Sequence, residues 1–138
     1  MRAELNVKYF DHEDLPVLNE WLRLRGHKAA EVYDLPAVGF LVSEGDFEIA
    51  ACFLRRCEGG LGIVEGLTSN PTATSALRHQ ALDMAIQCVI EEAKSRDITK
   101  LLAWTVDAGT QVRSIARHGF VQSHQTFMTK DMEAPATH

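Results

Sequence analysis

The feature that most constrains the fold is a long helical periodicity at residues 74–95, which lies between two strand-like segments. Its apolar residues recur at the spacing of one helix face. We expect that face to be formed by Leu77, Ala81, Met84, Ala85, Cys88 and Val89. The flanking segments, 61–68 and 98–106, are rich in aliphatic and β-branched residues. A strand, a helix and a second strand in this order predict a βαβ crossover with parallel strands.

The residues that precede this crossover predict one strand and at least one helix. Residues 6–10 are expected to form a first strand. A helix that begins at Asp11 or Glu13 is expected to end at Gly26, because glycine commonly follows the last helical turn. Residues 27–35 are ambiguous and fit a short second helix.

The remaining segments complete a mixed sheet. Residues 37–43 and 47–54 flank a turn sequence and predict an antiparallel hairpin. After the crossover, a short helix at 110–118 is expected to end at Gly119, and residues 120–130 predict a final strand or hairpin arm. The predicted fold class is α/β (α+β mixed). It has a central mixed sheet with antiparallel N-terminal strands, one βαβ crossover and flanking helices.

The charge and composition exclude several classes of function. The chain has 138 residues, a formal net charge of -5 and 46% hydrophobic residues. Domains that bind nucleic acids usually carry a basic face that neutralises phosphates. No apolar run approaches the roughly 20 residues needed to cross a bilayer. We therefore expect one cytoplasmic domain at residues 1–130 with a frayed tail at 131–138, and neither a nucleic-acid nor a membrane partner.

The cysteines, histidines and aromatic residues favour structural roles. Cys52 and Cys88 lie in apolar segments, and the histidines are scattered without ligand spacing, so we expect no metal site. The near-continuous apolar run at 98–106 is typical of a central strand covered on both faces. We expect a core that includes the large aromatic residues Trp21, Trp104, Phe40, Phe47 and Phe53.

Several local sequences resemble the GNAT acyltransferase family. A strand ends in the polar turn Ser69-Asn70-Pro71, and the long amphipathic helix follows it. The next strand leads to a short helix within RSIARHGFVQ, where the family usually has Leu-Gly-Phe at the helix end. The element order resembles the GNAT fold over nearly the whole chain and is specific over residues 60–120. The size and general pattern are also similar to small GNAT-like proteins carried by short-tailed bacteriophages.

This resemblance implies acetyl-CoA as a cosubstrate. In the family, pantetheine bonds to the strand before the long helix, which here ends in Leu67, Thr68 and Ser69. The pyrophosphate lies on the N-terminus of the long helix, where free N–H groups and the helix dipole attract an anion. The corresponding residues here are Thr74, Ser75, Ala76, Leu77 and His79.

The chain lacks the two glycines of the family's phosphate loop. Aligned on Pro71, the loop positions Gln/Arg-x-x-Gly-x-Gly/Ala hold Thr74, Leu77 and His79. Glycine at such positions lets the backbone approach a phosphate without a Cβ in the way. We therefore expect Leu77 and His79 to put bulk at the phosphate site.

Three residues are candidates for acid–base chemistry. Glu65 lies where many GNAT enzymes place the carboxylate that deprotonates the amine, and it also fits a solvent-facing strand residue. Asp107 follows the next strand and fits either a ligand-binding or a helix-capping role. His118 fits a proton donor or a partner for the free carbonyls of a helix end. The family's asparagine and its proton-donating tyrosine fall near Ala108 and Ile115.

The resemblance implies an acyl-CoA-dependent N-acetyltransferase that acts on a primary amine by direct attack in a ternary complex. The acceptor could be a small molecule or a protein, and a homodimer is a further expectation. The missing glycines and tyrosine leave one alternative open. That alternative is a non-catalytic GNAT-fold binding or virion-associated protein with a degenerate CoA site.

Overall fold

The computed structural model describes residues 3–104, 110–123, 125–126 and 128–132. Strands β1 to β5 span Asn6–Tyr9, Val38–Glu44, Phe47–Arg56, Leu61–Ser69 and Lys100–Ala103. Helices α1, α2 and α3 span Leu15–Leu24, Ser75–Ser95 and Thr110–Ala116, and two 3-10 helices span His12–Asp14 and Val32–Asp34. No helix among these residues is long and apolar enough to cross a membrane.

The five strands form one sheet in the order β1-β2-β3-β4-β5. The first four strands pair in antiparallel fashion. Strand β5 pairs parallel to β4, from Leu61 opposite Lys100 to Val64 opposite Ala103. Because α2 lies in sequence between these two parallel strands, it forms the crossover. The sequence therefore predicted the mixed sheet and its βαβ unit correctly.

Helices pack on both faces of the sheet. On one face, α2 packs against a cluster of buried residues that includes Cys52, Val64 and Ile86. On the other face, α1 packs through a smaller cluster that includes Trp21 and Phe53. We call these the α2 face and the α1 face. Side chains alternate between them along each strand.

The α1 face is organised around Phe53, whose side chain is only 1% exposed. Opposite Cys52, β4 carries a bulge formed by Gly66 and Leu67, and Gly66 has a φ of 67°. A Cβ on Gly66 would lie 2.7 Å from Cδ2 of Phe53, and a Cβ on Gly39 would overlap the other edge of the ring. The ring therefore needs a glycine on each neighbouring strand.

The buried face of α2 is rotated relative to the predicted one. Met84 and Cys88, which we expected in the core, are only partly buried. The buried residues of the helix are Ala81, Leu82, Ala85, Ile86, Val89 and Ala93. Alanines at three of these positions let the helix lie close to the sheet. The longer side chains of Leu82 and Ile86 then fill the core beside the line of contact between helix and sheet.

Strand β5 is shorter and more exposed than predicted. The N–H of Ile98 donates to the carbonyl of Ala93, so the chain is still leaving α2 there, and the strand begins only at Lys100. Leu102 and Trp104 are 37% and 47% exposed. They are exposed because β5 is the last strand of the described sheet and α2 packs on its opposite face. The prediction of a doubly covered strand with a core tryptophan is therefore wrong.

Three other segments also differ from the predictions. The described residues within 120–130 form neither helix nor strand. Phe120 packs against the core, but Val121 is 90% exposed and the next residues, Gln122 and Ser123, are polar, so little apolar surface is buried to order a strand. Phe47 is 40% exposed, because it begins β3 beside the hairpin turn. The ambiguous segment 27–35 contains only the short 3-10 helix at Val32–Asp34.

The fit of Phe53 can be tested with a matched pair of glycine substitutions. Gly66→Ala should lower the free energy of unfolding by about 2–4 kcal/mol, because it adds about 1 kcal/mol of left-handed strain to about 1–3 kcal/mol of overpacking. Gly59 is the control, since its φ is 71° and nothing lies within 4 Å of an added Cβ. Gly59→Ala should cost only the strain of about 1 kcal/mol. Urea unfolding measures both losses, and equal losses would contradict the fit.

A candidate ligand site where strand β4 meets helix α2

Strand β4 extends past its parallel neighbour at the carboxyl end of the sheet. It continues to Ser69, whereas β5 as described ends at Ala103, opposite Val64. Leu67 is buried in the cluster on the α2 face, and Thr68 is partly exposed. Ligands of open α/β sheets bind outside the carboxyl ends of parallel strands. The end of β4 is therefore the first place to look for a ligand site.

The turn that joins β4 to α2 is held by Asn70, which is 9% exposed. Its Nδ2 donates to the carbonyl of Glu48 at 2.9 Å. Its Oδ1 accepts from the N–H and the hydroxyl of Thr72, at 2.9 and 2.8 Å. One side chain thus anchors the turn to β3 and also fixes the path of the turn, so it sets where α2 begins.

The N-terminus of α2 offers free hydrogen-bond donors. Thr74 caps the helix, and its hydroxyl accepts from the N–H of Leu77 at 3.3 Å. Ser75 and Ala76 are exposed, and among the described residues their N–H groups have no hydrogen-bond partner. These donors lie at the positive end of a 21-residue helix and could bind an anion.

Leu77 and His79 hold the family's two glycine positions. Leu77 is partly buried and packs against the cluster on the α2 face, so its side chain lies toward the core. The core therefore takes up at least part of the bulk of Leu77. His79 is also partly buried.

Two arginines converge on this turn from different elements. Arg25, just after α1, donates to the backbone carbonyl of Ser69 and, at 3.0 Å, to its hydroxyl. Arg78, in the first turn of α2, donates to the carbonyls of Ala73 at 2.6 Å and Pro71 at 3.4 Å. Burial lowers the pKa of Arg25, and the nearby charge of Arg78 lowers it further. Neither guanidinium pairs with a carboxylate in the described part of the chain, so the turn favours an anionic ligand.

Glu65 lies on the α1 face, because it pairs with Phe53 across the sheet. Both of its oxygens accept from Arg55, at 2.7 and 2.9 Å, and this hydrogen-bonded pair raises the pKa of Arg55. The side chains of Arg55 and Glu65 are 42% and 18% exposed. Nη2 of Arg55 also donates to the carbonyl of Asp34 at 3.2 Å. Glu65 is thus a partly accessible carboxylate whose two oxygens are already engaged.

The other two acid–base candidates do not join Glu65. His118 contacts Asp83 of α2 at 3.4 Å, and Arg117 reaches the same carboxylate at 3.0 Å, so both residues tie the end of α3 to α2. His118 therefore lies on the α2 side of the sheet, opposite the face that carries Glu65. Ile115, near the family's tyrosine position, is buried in the α2-face cluster. Asp107 and Ala108 lie outside the described residues.

Sequence reasoning missed the arginines of this region. Arg78 did carry a signal, because a cation in the first turn of a helix opposes the helix dipole and is unusual without an anionic partner. Arg25 carried none, since it lies 44 residues from the serine that it contacts. Arg55 could be linked to Glu65 only once the register of β3 and β4 was known.

The fold is shared with several solved structures. A GNAT-family acetyltransferase from Streptococcus pneumoniae matches with a TM-score of 0.69 and 12% identity, over 93% of this chain and 100% of its own. The chain has the GNAT fold. A Mycobacterium tuberculosis protein solved in complex with CoA has the same fold, with a TM-score of 0.70 and 16% identity over 90% of this chain and 76% of its own. The ribosomal-protein-S18-alanine N-acetyltransferase from Escherichia coli matches with a TM-score of 0.70 and 10% identity, over 87% of this chain and 79% of its own.

The likeness is one of structure rather than of sequence. No family model and no curated protein sequence matches the chain. The resemblance first seen in residues 60–120 is nevertheless confirmed by the GNAT fold of the whole sheet.

The cap of α2 gives a test of how the site is built. Thr74→Ala should lower the free energy of unfolding by about 1 kcal/mol, because the N–H of Leu77 loses its acceptor. Ser75→Ala is the matched control, since Ser75 is exposed and lies one residue later in the same turn. We expect it to change stability by less than about 0.5 kcal/mol. Thermal unfolding of the two variants measures the difference, and equal stabilities would mean that Thr74 does not cap the helix.

Proposed function

We propose that the protein is an acyl-CoA-dependent N-acetyltransferase that acts on a primary amine. The observation that carries this proposal is the pair of guanidiniums, Arg25 and Arg78, beside the free N–H groups of the α2 N-terminus. In a GNAT fold this arrangement lies at the carboxyl end of β4, where an anionic cosubstrate can bind. The M. tuberculosis protein with the same fold was solved in complex with CoA, which supports the choice of anion.

The residues at this site fit the chemical groups of acetyl-CoA. The end of β4, at Leu67, Thr68 and Ser69, would hold the pantetheine arm through backbone groups. The phosphates would bind the N–H groups of Ser75 and Ala76 and, with them, the remaining donors of Arg78 and Arg25. Three further residues of this helix turn belong to the proposed CoA site. Thr74 caps the helix, Leu77 packs toward the core, and His79 follows Arg78 in the sequence. Two arginines would thus supply the attraction that the glycine loop of the family supplies through its backbone.

Acetyl-CoA would supply a thioester that an amine can attack directly. In this proposal Glu65 takes a proton from the ammonium of the acceptor, so that the neutral amine can attack the thioester, and Arg55 eases this step by releasing one oxygen of Glu65. His118 and Asp107 remain the proposed sources of the proton that the leaving sulfur needs. His118 would have to act from the α2 side of the sheet, where Asp83 now holds it.

A second candidate function is favoured by the state of these acid–base groups. Both oxygens of Glu65 are held by Arg55, and a buried isoleucine, Ile115, stands near the family's proton-donating tyrosine. These features suit a non-catalytic protein that keeps the GNAT fold as a binding or virion-associated module. Such a protein would bind CoA, or another polyphosphate, without transferring an acyl group.

The cosubstrate site can be tested by calorimetric titration with acetyl-CoA. The unaltered protein should bind it. Arg78→Gln should lower the affinity by about tenfold or more, the size expected when one charge-assisted hydrogen bond is lost. Arg96→Gln is the matched control, because Arg96 is paired with Glu92 at the far end of the same helix. It should leave the affinity unchanged. No heat at millimolar acetyl-CoA would overturn the enzyme proposal.

Turnover separates the two candidate functions. Acetyl transfer across a panel of primary amines should be detectable, and Glu65→Gln should abolish it without weakening acetyl-CoA binding. A protein that binds acetyl-CoA but transfers nothing to any amine would support the binding module instead. Transfer that Glu65→Gln leaves unchanged would remove Glu65 from the role of base.

A further inference from the structure

The Arg55–Glu65 pair is a charge-neutral element at a partly accessible position on the α1 face. Two parallel hydrogen bonds join the side chains as one bidentate pair, and Arg55 keeps 42% of its side chain exposed. Its Nη1 has no hydrogen-bond partner in the parts of the chain that the structure describes. The pair therefore presents unused guanidinium donors next to a carboxylate whose oxygens still have free lone pairs.

A simple amine is a poor ligand for such a pair. Its ammonium is attracted by Glu65, but the guanidinium of Arg55 lies within hydrogen-bonding distance of that same carboxylate and repels it. If the amine displaced Arg55 from Glu65, it would leave the guanidinium without a counterion. The exchange would replace one ion pair by another and would gain little.

A ligand that carries its own carboxylate resolves this problem. Its ammonium can bind Glu65 while its carboxylate takes the place of Glu65 on Arg55, so that one ion pair becomes two. A planar guanidinium binds a carboxylate through two parallel hydrogen bonds, which suits this exchange. The carbonyl of Asp34 accepts from Nη2 at 3.2 Å and would hold Arg55 in place while Glu65 lets go.

We propose that Arg55 and Glu65 together bind a zwitterionic amino-acid acceptor, with its carboxylate on Arg55 and its ammonium on Glu65. This inference rests on the proposed function and names the substrate class of that site. Arg55 is then the specificity-determining residue. It discriminates acceptors that carry a free carboxylate from monoamines, and its displacement by that carboxylate frees Glu65 to accept a proton.

The test compares acceptors that differ only in the carboxylate. Acetyl transfer is measured for a panel of amino acids, for the amines left after their decarboxylation, and for their amides. The unaltered protein should prefer at least one amino acid over its matched amine and amide by about tenfold or more in kcat/KM. Arg55→Gln should abolish this preference through a raised KM for the amino acid, and Arg55→Lys should restore part of it.

The matched control is Arg56→Gln. Arg56 is the next residue on β3, is exposed, and has no ion-pair partner in the described chain. It should leave the preference unchanged. Thermal unfolding of each variant shows whether the fold survives, and Arg55→Lys keeps the charge if Arg55→Gln does not fold. Equal losses for amino acids and amines in Arg55→Gln would overturn the inference.

A second measurement does not depend on turnover. Addition of the same amino acids to the 15N-labelled protein without acetyl-CoA should shift the side-chain Nε resonance of Arg55, and the matched amines should not shift it. Acetyl transfer to amines without any preference for amino acids would overturn the inference and leave the proposed function standing. Amino-acid binding at Arg55 with no transfer would overturn the proposed function and the role of the amino acid as an acceptor, and would leave only the amino-acid binding site at Arg55 and Glu65.

Discussion

The buried ring of Phe53 lies between Gly39 of β2 and Gly66 of β4, and neither position has room for a Cβ. This fit explains why β4 carries a bulge at Gly66, whose backbone adopts a φ that suits glycine. The bulge also sets the face of the sheet on which Glu65 and Leu67 lie. Glu65 stays on the α1 face with Arg55, and Leu67 turns to the α2 face. The packing of the Phe53 ring therefore places the carboxylate of Glu65 and the side chain of Leu67 on opposite faces of the sheet.

Hydrogen bonds hold the strand end that follows the bulge in place. Asn70 ties the turn to β3, and Thr74 caps the helix that starts there. A site that binds an anion benefits from such rigidity, because donors fixed in advance lose little entropy when the ligand arrives. Arg25 and Arg78 are also fixed, since backbone carbonyls of the turn accept from both. The site thus combines a helix N-terminus with two cations that are held in place by the backbone.

Local sequence predicted the elements better than their environments. The crossover and the hairpin follow from periodicity and turn residues, which act over a few positions. The exposure of Trp104 does not, because it depends on which strand ends the described sheet and on the face that α2 covers. The contact between Arg25 and Ser69 is likewise a product of the fold, since the two residues lie on different elements. Glu65 was predicted as a candidate, but its partner Arg55 was not.

In the proposed acetyltransferase, the turn between β4 and α2 binds the phosphates of CoA. The most direct measurement is a titration of the 15N-labelled protein with CoA, followed through backbone amides and arginine Nε resonances. We expect the largest shifts at the backbone amides of Ser75 and Ala76 and at the Nε resonances of Arg25 and Arg78. The absence of shifts at saturating CoA would contradict this expectation. So would shifts confined to a separate groove lined by Phe40 of the sheet and by five residues of α2, namely Gln87, Cys88, Glu91, Glu92 and Ser95.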